Sequence, residues 1–190
     1  GKEFVHFGGL KIFTTLDTRY QQFALRGARN HLEALQGKVK KETGSVKLQV
    51  ALVAIENKSG AVKALLGGRN YSHSQFNRAV SNNRLPGSSF KPFVYLTAME
   101  TLGFSPATVV VDEPVTIEIP GSKSWEPQNF DKEFAGSIVL KKALLKSINV
   151  VSAKLMQQVG PEKVIRTARK FGIKSPLGKN LSLALGTSGV

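Results

Sequence analysis

The sequence predicts a layered α/β domain, and three stretches carry that expectation. "LQVALVAIE" (48–56) is strand-like, with apolar residues at odd and even positions, so both of its faces are expected to be covered. "NKSG" then reads as a turn, and "AVKALLGG" (61–68) as the returning strand of a hairpin. Apolar residues at helical spacing dominate much of the remainder, from Ser88 to about Leu102 and again beyond residue 138.

The elements follow in chain order. "LKIFTTL" (10–16), rich in β-branched and aromatic residues, reads as a short strand. Asp17 can cap a helix over about 18–36, with Tyr20, Phe23, Ala24, Ala28, Leu32 and Leu35 near one face. "GKVKKETGS" (37–45) is expected to be a loop, and the polar stretch 69–87 to be irregular. The helix that opens near Ser88 carries Pro92, which is tolerated only near a first turn. Residues 103–131 read as an extended excursion holding the single Trp. Helical patterns resume over 138–146 and 150–159. A last one opens at Pro161 and ends at Gly172. Domain organisation is expected to be a leading segment, 1–45, followed by the domain proper, 46–190.

Bulk properties narrow the chemistry. The chain has 190 residues, enough for one domain with a sizeable core. No run reaches the roughly 18 apolar residues that cross a membrane. The N-terminus lacks the apolar region and cleavage site of a signal peptide, so the chain reads as excised or processed. With no Cys, thiolate catalysis and Cys-based zinc sites are excluded. His6, His31 and His73 lie far apart without metal spacing, so no His-based metal site is expected. The net charge of +14 suits an anionic partner such as acidic lipid or a polyanionic wall. "KVKKETGSVK" (38–47) is the one dense basic patch and also fits a solvated loop. No zinc-finger, RRM-type or bZIP pattern accompanies it, so nucleic acid is not an expected partner.

The stretch "RLPGSSFKPFVYLTAME" (84–100) carries the reactive chemistry. Ser88 and Lys91 stand three residues apart at a helix start behind Pro86-Gly87, which puts their side chains on one face. A neutral amine can take the proton of a neighbouring hydroxyl, and burial lowers a Lys pKa towards that state. Backbone N–H groups at a helix start can hold a developing oxyanion. The same letters also fit an N-terminal capping Ser and a snorkelling Lys. Ser147-Ile148-Asn149 offers a second hydroxyl and an amide, suited to proton relay and to holding a substrate amide. Ser147 interrupts an apolar stripe between two helical patterns, where a buried hydroxyl needs a partner. A helix-ending Ser with a capping Asn remains the alternative.

The segment "FNRAVSNNRLPGSSFKPFVYLTAME" resembles the active-serine segment of class A penicillin-binding proteins, the bifunctional peptidoglycan synthases. "GGLKIFTTLDTRYQQFA", "VALVAIENKSGAVKALLGGRNYSHSQFNRA", "WEPQNFD", "LKKALLKSINVVSAKLMQQVGPEKV" and "SLALGTSGV" resemble further segments of their transpeptidase domain, in the same order. The resemblance implies the fold of the penicillin-recognising serine enzymes, also seen in β-lactamases. That fold is an antiparallel sheet flanked by helices, plus a mostly helical subdomain. It also implies a D,D-transpeptidase without cofactor or metal. Ser88 would attack the penultimate D-Ala carbonyl of a peptidoglycan stem peptide, and β-lactams would acylate the same hydroxyl. By the same resemblance Lys91 is the base, Ser147 a proton shuttle and Asn149 a binder of the substrate amide. The N–H of Ser88 would supply half an oxyanion hole. Trp125 would line the cleft, though it fits equally as the anchor of an extended loop.

One departure accompanies the resemblance. The family carries a third motif, Lys-Thr/Ser-Gly, on a strand beside the nucleophile, and nothing after Asn149 matches it. Lys58-Ser59-Gly60 has the letters but precedes the nucleophile, in the position of the hairpin turn. The expectation is therefore an incomplete domain whose C-terminal strands belong to a further part of the polypeptide or to a second chain. The full-length protein would be membrane-anchored and would work on the extracytoplasmic face of the bacterial membrane. Two rival readings differ in class: a β-lactamase or penicillin sensor of the same fold, and a non-enzymatic basic module that binds wall polymer or another polyanion.

Overall fold

A computed structural model describes residues 8–43, 47–81, 83–119, 121 and 123–190; of residues 40–43 it describes the backbone only. Part of the basic patch, residues 44–46, lies outside the described residues. The chain divides at Asn82/Asn83 into two units. The architecture is mixed α/β, with small antiparallel sheets and helices.

The first unit is a helix and a hairpin. Helix α1 spans Thr18–Thr43. Asp17 caps it as expected: Oδ1 accepts the Arg19 N–H at 2.9 Å, and the Asp17 carbonyl accepts the Gln21 N–H. Hydrogen bonds from the Arg19 side chain and backbone hold the Asp17 carboxyl down at about 2. The helix runs past residue 36. Gly37 does not stop it, because the residues after it are good helix formers that offset a cost of roughly 1 kcal/mol. Its inner stripe is Gln21, Ala24, Ala28, Leu32 and Leu35, while Tyr20 and Phe23 fall off it and are exposed.

Strands β1 (Leu52–Ile55) and β2 (Val62–Leu66) pair antiparallel, Leu52 opposite Leu66, and Gly60 makes the turn at φ 72°. Two expectations fail here. β1 is not covered on both faces: Leu52 and Ala54 are half-buried, whereas Val53 and Ile55 are exposed. Residues 10–16 form no strand. They offer Thr15 Oγ1 to the Val62 carbonyl, and Asp17 N–H follows to the Lys63 carbonyl at 2.9 Å. Gln21 then satisfies both backbone groups of Leu65, so the outer edge of β2 is bonded by the start of α1 and not by a strand ladder. Lys58-Ser59-Gly60 sits in the hairpin turn as expected, with Ser59 Oγ engaged by Glu56 and the Ala61 N–H.

The second unit is built round one apolar helix. A 3-10 turn, Gly87–Phe90, leads directly into α2, Lys91–Leu102, which ends at Gly103 with φ 68°. Pro92 lies in the first helical turn, where its missing N–H costs nothing. α2 is buried on several sides through Lys91, Val94, Tyr95, Thr97 and Ala98, as a central helix must be. Strands β3 (Val109–Asp112), inside the stretch 103–131 expected to be extended, and β4 (Gly136–Val139), beyond it, pair antiparallel. β4 takes residues 138–139, so the helix expected from 138 begins later, as α3, Leu140–Leu145. Helix α4 is Asn149–Val159, and α5 is Pro161–Lys170, with Gly172 beyond it at φ 91°. Leu155, Met156 and Val159 of α4 and Val164 and Ala168 of α5 join Val94 and Ala98 of α2 in one core. Thr97 Oγ1, which donates to the Phe93 carbonyl, lies 2.9 Å from Thr167 Oγ1 and ties α2 to α5.

A second 3-10 turn, Leu181–Leu185, is absent from the sequence reading; Asn180 caps it. It ends on Gly186 at φ 69°, whose carbonyl accepts the Gly87 N–H at 3.3 Å. A Cβ at Gly186 would lie 2.1 Å from the Gly87 carbonyl oxygen. Gly186→Ala therefore combines left-handed strain with a backbone clash, and about 3 kcal/mol of destabilisation is expected. Thermal unfolding checks this; a midpoint unchanged from wild type would contradict the close approach.

Candidate active site

Ser88 sits inside the 3-10 turn, one residue after Gly87, which adopts φ 55°. Its side chain is exposed at the open end of α2, and its carbonyl accepts the Lys91 N–H. Lys91 starts α2 and points the other way in environment: it is 1% exposed. Its Nζ donates to the Ser147 carbonyl at 2.5 Å, to Ser147 Oγ at 3.0 Å and to Asn149 Oδ1 at 2.7 Å. All three ammonium protons thus have an oxygen, and among the described residues no carboxylate pairs with Lys91. Burial without a counter-charge lowers the Lys91 amine to about 8. Tyr95, one turn further along α2, is also buried and is pushed up to about 12, chiefly by burial, with the Asp112 charge adding. It is neutral at physiological pH and contributes no anion to hold Lys91 protonated.

Ser147 reaches Lys91 through the way α3 ends. The Ile148 N–H bonds back to the Ala143 carbonyl and the Ser147 N–H to the Leu144 carbonyl, the two bonds of a Schellman motif. That motif needs a left-handed residue, and here Ser147 takes the place usually held by Gly, at φ 56°. The expected break between helical patterns is therefore real, but Ser147 is not a buried member of an apolar stripe. It is exposed, because the reversal turns it outward, while Ile148 tucks in at 7%. Asn149, two residues on, is the first residue of α4.

Three of the expected site residues, Lys91, Ser147 and Asn149, are thus joined by hydrogen bonds. Among the described residues, Ser88 Oγ makes no hydrogen bond of its own; it shares the first turns with Lys91 and faces solvent. Trp125 is half-buried and forms an isolated two-way bridge with Ile117, at 2.8 and 2.9 Å, without a hydrogen bond to this cluster. Three residues to which the sequence reading gave no role support Asn149, two of them directly and Asp112 through Asn129. The Gln128 carbonyl accepts Asn149 Nδ2 at 2.9 Å. Asn129 Oδ1 accepts the N–H groups of Asn149 and Val150, and Asp112 accepts Asn129 Nδ2 at 2.9 and 3.1 Å. The signal available was a lone Asp closing the apolar run "VVVD" and the Asn of "WEPQNFD", a segment that resembles a Trp-x-Pro-x-Asn-aromatic stretch of the family and in which only the Trp was given a role. A recess of about 200 Å³ opens beside Ser147, lined in part by Asp112, Asn129 and Phe134.

The arrangement is an exposed serine three residues before a buried amine whose partners are Ser147 and Asn149, on a helical core. Residues 50–185 match the family model for the penicillin binding protein transpeptidase domain, and the chain belongs to that family. It is 42% identical over 144 residues to penicillin-binding protein 1A of Pseudomonas aeruginosa, covering 75% of this chain and 17% of that protein. It is 43% identical over 143 residues to penicillin-binding protein 1A of Neisseria gonorrhoeae, covering 74% and 18%. Among solved structures, the PonA1 protein of Mycobacterium tuberculosis in complex with penicillin V superposes with a TM-score of 0.72 at 25% identity, covering all of this chain and 50% of that one. The chain spans less than a fifth of the length of these two curated relatives. The resemblance to the transpeptidase domain of class A penicillin-binding proteins, with the fold it implies, stands on these matches.

Proposed function

We propose that this chain carries the nucleophile half of a serine D,D-transpeptidase that cross-links peptidoglycan stem peptides and is acylated by β-lactams. The single observation that carries the reading is Lys91: a buried amine lowered to about 8, held by Ser147 and Asn149, three residues after an exposed serine at a helix start. Family membership and the penicillin complex of the PonA1 protein support it.

In this reading neutral Lys91 takes the proton of Ser88 Oγ as the oxygen attacks the penultimate D-Ala carbonyl. The N–H groups at the helix start stabilise the oxyanion. The tetrahedral species collapses, the C–N bond breaks, and the proton passes from Lys91 through Ser147 Oγ to the departing D-Ala amine. An amine of a second stem then attacks the Ser88 ester. Its proton returns along the same path, and Ser88 leaves as the free hydroxyl. Asn149 Nδ2 and the flanking cleft, with Trp125 as a wall, receive the stem peptide. The Lys-Thr/Ser-Gly motif and a membrane anchor come from polypeptide outside these 190 residues, and the site works on the extracytoplasmic face of the membrane.

The test is to supply the full-length polypeptide with a donor ending in D-Ala-D-Ala and an amine acceptor. Release of D-Ala with formation of the new amide is expected. Penicillin acylation that turns over rapidly, without amide formation, would contradict this reading in favour of a β-lactamase. Ser147→Gly separates chemistry from folding. Because Gly suits φ 56°, the variant is expected to keep or raise the unfolding midpoint. Losing the hydroxyl is expected to slow acylation about 100-fold. Stopped-flow acylation alongside a thermal scan reads both, and an unslowed variant would remove Ser147 from the relay.

A further inference from the structure

We infer that Asp112 and Asn129 are positioning residues for the acylation step, holding Asn149, and through it Lys91, in register. The inference rests on the reading of Ser88 and Lys91 above and extends it to residues that touch neither the serine nor the amine.

The Asn149 amide is held at both ends. Its Oδ1 accepts from Lys91 Nζ and its Nδ2 donates to the Gln128 carbonyl. The reversed amide would set donor against donor at Lys91 and acceptor against acceptor at Gln128, so the carbonyl of residue 128 fixes which end faces the amine. The next residue grips the backbone of the same Asn. Asn129 Oδ1 accepts the N–H groups of Asn149 and Val150, the first two of α4, at 3.0 and 3.2 Å. Two consecutive residues of one loop therefore hold Asn149 at side chain and main chain. Ile148, the residue before α4, supplies no side-chain cap of its own, so Asn129 does from another segment what a local capping residue ordinarily does.

Asn129 is itself fixed. It is 7% exposed, and its Nδ2 donates to both oxygens of Asp112 and to the Glu133 carbonyl at 2.9 Å. Asp112 is 1% exposed and also accepts the Ala135 N–H at 2.9 Å. With Asp112 accepting from Nδ2, the Asn129 carbonyl oxygen is the end left to face α4. A buried carboxylate at the end of β3 thus sets one amide, which caps the helix carrying a second amide, which holds the amine. A buried polar chain of this kind either is satisfied throughout or fails together.

The experiment is an exchange of the two side chains in the full-length polypeptide, read as the second-order rate constant for acylation of Ser88 by a fluorescent penicillin, per folded molecule. Asn129→Asp keeps an acceptor for α4 but sets a carboxylate against Asp112, and about a 100-fold loss is expected from a displaced Asn149. Asp112→Asn alone puts an amide N–H towards the Asn129 or Ala135 donors, and about a tenfold loss is expected. Combining Asp112→Asn with Asn129→Asp reverses the pair, donor now on β3 and acceptor on the loop. It remakes one of the two bonds between residues 112 and 129, keeps an acceptor for the Ala135 N–H, and leaves a carboxylate oxygen of residue 129 facing the Glu133 carbonyl, from which the loop can relax. Recovery to within about fivefold of wild type is expected. Single variants that lose thermal stability but acylate at the wild-type rate while folded would overturn the positioning role. So would a folded double variant as slow as Asn129→Asp. A wild-type protein that is never acylated would overturn the functional reading, and this one with it; a normally acylated wild type with unaffected variants overturns this one alone.

Discussion

Ser88→Ala is expected to abolish the covalent penicillin adduct while leaving the fold intact. The side chain is exposed and its hydroxyl makes no hydrogen bond among the described residues, so removing it costs no packing and orphans no partner. The turn that presents it is set by Gly87 at φ 55° and by the contact with Gly186, not by the serine side chain. Acylation should fall at least ~10³-fold, the loss expected when an activated nucleophile is deleted. The unfolding midpoint should stay within about a degree of wild type, since surface substitutions of this kind lie within roughly 0.5 kcal/mol. Intact-mass spectrometry after incubation with a penicillin reads the adduct directly. A persistent adduct on the variant would mean that another hydroxyl is the nucleophile.

The second large effect is at Lys91, and it has a pH signature. A base must be neutral to accept a proton. Lys91 is charged below its pKa and neutral above it, and burial places that pKa at about 8. The acylation rate should therefore rise with pH through about 8 and level off above it, with a neutral fraction of only about a tenth at pH 7. Lys91→Met keeps most of the buried volume but cannot take a proton. It also leaves the Ser147 carbonyl and Asn149 Oδ1 without their donor. Acylation should fall about 10³-fold at every pH, and the rise through pH 8 should vanish. Relief of the buried charge offsets part of the cost of the two acceptors left without a donor, so stability should fall by no more than about 3 kcal/mol. A variant that retains the same pH dependence would assign the titration to some other group.

Much of this was legible in the sequence, and the failures have physical causes. The hairpin was visible because a Gly turn separates two apolar runs, and α2 was placed correctly because Pro92 is compatible only with a first turn. Residues 10–16 have the composition of a strand but lie beside Gln21, whose side chain occupies the backbone groups of Leu65 that a strand would need. Gly37 signalled a stop that the helix formers after it override. β3 and β4 are four-residue strands held by a pairing from 109–112 to 136–139, a long-range contact that no local pattern encodes. The same limit hid part of the site. Ser88 and Lys91 are neighbours in sequence and could be read from spacing, and Ser147 and Asn149 could be read from a break between helices. Asp112, Gln128 and Asn129 matter only because the fold carries them to the start of α4, and each looks ordinary in its own segment.

Acylation of Ser88 is read by peptide mapping of the penicillin adduct. The full-length polypeptide is incubated with a penicillin, its intact mass is recorded, and the modified peptide is sequenced by fragmentation. One stable penicilloyl group is expected, located on Ser88 and not on the adjacent Ser89 or on Ser147. An adduct located elsewhere, or none on a folded full-length protein, would contradict it.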